Sequence, residues 1–113
     1  MLLTALPLWA NAAIAGSLHV SDSMPAADAI LHGRHAEYVI RFDGPVDHLS
    51  SRMEITQAGQ IVQRLTPLGD SAVDVLFASS EAPPPGRYLL HWQVKSVADG
   101  TVSDGSIPFS VEP

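Results

Sequence analysis

The sequence predicts an all-β fold, a single antiparallel β-sandwich of about seven strands. Three observations predict it. Apolar and polar residues alternate along most of the chain after residue 15, the period of a half-buried strand. Turn residues divide those runs at short, regular intervals: Pro25, Gly33, Gly44-Pro45, Gly59, Pro67 to Gly69, Pro83 to Gly86, and Gly100 to Gly105. No window after residue 15 keeps a convincing helical period, and Ala26-Ala27-Asp28-Ala29 is at most a turn. Many short strands with such spacing read as an immunoglobulin-like Greek-key sandwich.

The elements follow in order. Residues Ser17 and His19 fall on the same face of an extended N-terminal segment. Glu37 to Asp43 places Tyr38, Ile40 and Phe42 on one face. Met53 to Thr56 and Ile61 to Leu65 flank Ala58-Gly59-Gln60, a hairpin signal. Val73 to Phe77 reads as a strand with Val75 and Phe77 inward. The long run after Pro85-Gly86 puts Tyr88, Leu90, Trp92 and Val94 on one face and Leu89, His91, Gln93 and Lys95 on the other. Ile107, Phe109 and Val111 close the chain in the same phase. The expected core is Tyr38, Ile40, Phe42, Ile55, Val75, Phe77, Tyr88, Leu90, Trp92, Val94, Phe109 and Val111. Burying one such side chain is worth roughly 1.5–3 kcal/mol.

Residues 1–15 carry no charge and end in Ala13-Ile14-Ala15. Small residues at the first and third places of that triplet suit a signal peptidase. The block is also shorter than the ~20 apolar residues that span a bilayer. It reads as a secretory signal peptide, with residues 16–113 as one domain and the mature chain not inserted in a membrane. The expected location is the periplasm or the exterior. The chain has no cysteine, so neither a disulfide framework nor a thiolate ligand is available. With a net charge of −6 and only 6 Lys and Arg, scattered as Arg34, Arg41, Arg52, Arg64, Arg87 and Lys95, it lacks the basic stripe that nucleic acid requires. No Gly-x-Ser-x-Gly elbow, phosphate-binding glycine loop or His-Glu-x-x-His occurs, so nothing points to an enzyme.

The residues with chemistry are the histidines and Asp99. Asp99-Gly100 is a turn in its own right, because Asp can bond its own backbone and Gly takes a positive φ. It is also a potential carboxylate ligand. His19 is either a solvent-facing strand residue or an imidazole donor. His91 reads as a surface residue, His32 and His35 as turn residues around Gly33, and His48 as a solvated turn residue.

Four motifs in order give the chain a family likeness. They are Ser23-Met24-Pro25-Ala26 followed by Ala29-Ile30-Leu31, then Phe42-Asp43-Gly44-Pro45-Val46, then Pro85-Gly86-x-Tyr88 with Trp92, and last Gly105-x-x-x-Phe109-x-Val111. With them the chain resembles the CopC family of copper-resistance proteins. The resemblance implies a β-sandwich that holds copper(II) at one end. The family donors are the amine and ring of an N-terminal histidine and the carboxylate and imidazole of an Asp-Gly-His loop, a set that suits copper(II). Here those histidines fall on Ser17 and Thr101, one extra residue lengthens Val97-Ala98, and the methionine-rich segment is missing. Asp99 and His19 remain as candidate metal ligands, with weak copper(II) binding expected. A CopD-like membrane copper transporter is the partner that the resemblance implies. The alternative is a sandwich that has lost metal and serves as an interaction module.

Overall fold

The computed structural model describes residues 18–113. Two sheets pack face to face. The first has three strands in the order β1-β3-β6: β1 (Val20–Met24), β3 (His35–Phe42) and β6 (Val75–Glu81). The second has five in the order β2-β8-β7-β4-β5: β2 (Ala29–His32), β8 (Val102–Glu112), β7 (Gly86–Lys95), β4 (Arg52–Gln57) and β5 (Gln60–Leu65). Among the described residues only β4–β5 and β7–β8 are hairpins within one sheet; the other connections cross between sheets. Among the described residues no helix is long and apolar enough to cross a membrane.

The sandwich stands as expected, with two differences of detail. It has one more strand than the alternation suggested, β2. That strand also pairs parallel to β8, with Ala29 opposite Phe109 and Leu31 opposite Val111, while the other strand pairs are antiparallel. Four residues are too few to show a clear period, so β2 is invisible until β8 offers it a partner.

Local chemistry explains the best-defined hairpin. Ala58 and Gly59 both have positive φ, 51° and 80°, so β4 and β5 are joined by a two-residue turn of the mirror-image kind whose twist matches the strands. At the start of β7 the Tyr88 hydroxyl donates to the Pro84 carbonyl. That bond ties the Pro83–Pro85 connection onto the strand.

The core lies between the sheets. Ala36, Tyr38, Ile40 and Phe42 of β3 face Leu90, Trp92 and Val94 of β7 and Ile107, Phe109 and Val111 of β8 within one buried cluster. Two edge-to-face pairs cross from sheet to sheet: Phe42 with Trp92 at 5.1 Å and Tyr38 with Phe109 at 6.1 Å. Gly105 lies opposite Trp92, and an added Cβ there would come 2.6 Å from the indole ring. This glycine makes room for the tryptophan.

One stretch of the expected core is out of phase. Phe77 is only half-buried, while Leu76 and Ala78 are buried in the cluster. Val75 is buried but stands outside that cluster. The run Val75-Leu76-Phe77-Ala78 has no alternation of its own. Pairing decides its phase: Leu76 lies opposite Ile40 and Ala78 opposite Tyr38, both inward residues, and Phe77 lies opposite the outward Val39.

Candidate functional site

The loop from β7 to β8 is built on backbone bonds. Gly100 N–H donates to Ser96 O at 2.8 Å and Ser96 N–H to Thr101 O at 2.8 Å. Gly100 takes a φ of 75°, as the turn requires. A bridge between Val46 and Ser96, and Val97 N–H on Pro45 O at 3.1 Å, hold this loop against the Gly44–Val46 turn. Within the loop Asp99 Oδ1 accepts two bonds from Thr101, one from the backbone N–H at 3.0 Å and one from the hydroxyl at 2.7 Å. Asp99 therefore fills the turn role, and the residue at the family histidine position is engaged with it.

His19 is held elsewhere, by Asp43 on the turn after β3. Its backbone N–H donates to Asp43 Oδ1 at 2.9 Å, its carbonyl accepts from Asp43 N–H at 3.0 Å, and its ring Nδ1 lies 3.2 Å from Asp43 Oδ2. The bond from the His19 backbone, supported by its ring, holds the Asp43 carboxyl below its ordinary value; desolvation works the other way. Both side chains are largely open to solvent. With Nδ1 engaged, Nε2 is the ring nitrogen left for another ligand. A carboxylate that fixes one ring nitrogen in this way is a common support for a metal-binding imidazole.

The other histidines are structurally distinct. His32 and His35 are exposed on either side of the Gly33 turn. His48 was expected to be a solvated turn residue. Instead its Nε2 donates to Val75 O at 2.8 Å and lies 3.2 Å from Ala72 O, tying the short 3-10 turn at His48–Ser50 to the start of β6. His91 lies on the outer face of its sheet, as its phase predicts, but with carboxylates at both nitrogens: Glu54 at 3.3 Å and Asp104 at 3.5 Å.

Among the described residues, no three His, Cys, Asp or Glu side chains are grouped so as to hold a metal ion. Gly16 and Ser17 lie outside the described residues. Asp43, Glu54 and Asp104 are partners that the sequence did not reveal. Each becomes visible only when its strand pairing is known.

The geometry has a clear likeness. The CopC domain model matches residues 20–112. The chain belongs to the CopC family. Its fold is similar to that of CopC from Methylosinus trichosporium OB3b, with a TM-score of 0.72 and 25% identity, over 85% of this chain and 94% of that one. An engineered protein of known structure shares the fold at a TM-score of 0.61 and 20% identity, over 85% of this chain and 20% of that chain. The curated proteins give no match. As a CopC domain, the chain is a protein of the copper-resistance type. Residues 18–113 do not reproduce the copper(II) donor set that the resemblance implies. In place of a loop imidazole this CopC domain carries a hydroxyl, a poorer donor for copper(II), which hydrogen-bonds to Asp99 Oδ1.

Proposed function

We propose that this protein is an extracytoplasmic copper(II)-binding protein of the CopC type that holds its ion weakly and passes it on, catalysing no reaction. Family membership supports the copper reading. The observation that carries the weak affinity is Thr101, whose hydroxyl bonds Asp99 where the family has an imidazole. Asp99, His19 and the amine of Gly16, freed by cleavage after Ala15, are the proposed donors. A CopD-like membrane transporter is the proposed recipient. Each donor must be deprotonated to bind, so affinity falls on acidification.

Calorimetry of the secreted, N-terminally sequenced protein with copper(II) tests this. Weak binding that is lost in Asp99→Ala and in His19→Ala supports the reading. Sub-nanomolar affinity would place the donors elsewhere. No binding at millimolar copper would favour a metal-free interaction module. That second reading draws on the engaged Asp99–Thr101 pair, with no three-residue metal group among the described residues.

A further inference from the structure

The outer face of the five-stranded sheet brings together a group of side chains that lies outside the Asp99 loop. The β4–β7 register sets Glu54 directly opposite His91. The β7–β8 register sets Asp104 opposite Gln93, one diagonal step from His91 on the same face. His91 Nδ1 is 3.3 Å from Glu54 Oε1, and Nε2 is 3.5 Å from Asp104 Oδ2. Of the cations on this face, Arg64 lies opposite Glu54 in the β4–β5 register and Arg52 is bonded to Gln93 Oε1.

The two contacts differ in kind. The Glu54 side chain is 12% exposed and Asp104 is 68% exposed. Glu54 is thus a buried carboxylate that fixes the ring from below, and Asp104 is a rim carboxylate that solvent reaches. The 3.5 Å gap from Nε2 to Asp104 is long for a hydrogen bond. It matches the span of two donors on one ion: bonds of about 2.1 Å at a tetrahedral angle set nitrogen and oxygen about 3.4 Å apart.

Asp104 has a second neighbour. It lines a groove of about 600 Å³ together with His19 and Trp92. The His19 ring is also held at Nδ1 by a carboxylate, that of Asp43, which leaves its Nε2 available. Asp104 therefore lies beside the His91 ring and also borders the groove that His19 lines.

We propose that His91 Nε2 and Asp104 Oδ2 form a separate chelate for a borderline divalent transition metal, copper(II) or zinc(II), with Glu54 positioning the His91 ring. Imidazole with carboxylate suits these ions. Water completes the coordination. The site goes beyond the copper reading above, because neither of its chelating residues belongs to the Asp99 loop. With two chain donors its affinity falls in the weak class.

The test is calorimetric titration of zinc(II) and of copper(II) into the unaltered protein and into His91→Ala, Asp104→Asn and Asp99→Ala. Copper(II) quenching of Trp92 fluorescence is followed in parallel. Asp104→Asn alters an exposed side chain and leaves the fold intact. His91→Ala and Asp104→Asn are expected to weaken one binding component by about tenfold or more, with Asp99→Ala leaving that component unchanged. Glu54→Gln is expected to weaken it by about 10–100-fold. It should also shift the ¹⁵N tautomer signature of the His91 ring in the metal-free protein, which a merely structural role would not do. Equal affinity in the unaltered protein, His91→Ala and Asp104→Asn overturns the site, as does absence of binding to the unaltered protein at millimolar zinc(II) and copper(II). Loss confined to Asp99→Ala overturns this site alone and leaves the proposed function standing.

Discussion

Thr101 donates twice to a single oxygen of Asp99, from its backbone N–H at 3.0 Å and from its hydroxyl at 2.7 Å. The pair closes the loop at the end of the sandwich where the CopC resemblance places copper(II). It satisfies one carboxylate oxygen with neutral donors from the next turn of chain. These bonds fix the orientation of the carboxyl group within the loop.

Replacing Thr101 with His is expected to raise copper(II) affinity, because it removes the hydroxyl and supplies an imidazole. Calorimetry should show at least a tenfold gain, about 1.4 kcal/mol. An unchanged affinity would mean that the extra residue in Val97-Ala98 has moved the loop away from the other donors.

Acid should open the contact between His19 and Asp43. The folded-state value of Asp43 lies below its ordinary 3.8, so its contribution is present above that value and lost as pH falls through the lowered one. A carboxyl ¹³C titration should give an Asp43 midpoint below 3.8. In Asp43→Ala the His19 amide should lose its bonded chemical shift at neutral pH.

Gly105→Ala should destabilise the sandwich. Its Cβ would meet Trp92 Cζ2 at 2.6 Å in a packed core, and overpacking of that kind costs about 1–3 kcal/mol. Urea unfolding should show the loss, and a second change, Trp92→Phe, should recover part of it by withdrawing the larger ring.

Tyr38→Phe should be stabilising. The Tyr38 hydroxyl is buried without a hydrogen bond of good geometry, although the Ser80 side chain is close enough to act on it. An unpaired buried hydroxyl costs about 1–3 kcal/mol, so the urea midpoint should rise. Burial raises the Tyr38 phenol above its ordinary 10.0, with Ser80 opposing. The folded state then keeps its proton longer than the unfolded one, and stability falls as pH climbs beyond 10. Tyr38→Phe should remove that part of the alkaline loss.

Residues 1–15 should be absent from exported protein. Intact-mass measurement of periplasmic material should give a chain starting at Gly16. A chain that retains Met1 to Ala15 would remove the Gly16 amine from the proposed donors.

The sequence by itself determined the fold class, because period-two alternation with turn residues at short intervals has few other solutions. It also identified Tyr38, Ile40, Phe42, Leu90, Trp92 and Phe109 as core, since each falls on the apolar phase of its strand. The Asp-Gly turn at Asp99 was legible for the same local reason: its bonds reach only two residues along the chain. Tertiary structure decided the rest. Val75 to Ala78 is apolar throughout, so its phase came from pairing with β3. β2 is too short to declare itself and takes its parallel register from β8. His19 with Asp43 is a contact 24 residues apart, and His91 with Glu54 is one 37 apart. Such partners meet only through strand register, and register is set by the whole buried face of each strand rather than by the residues that meet.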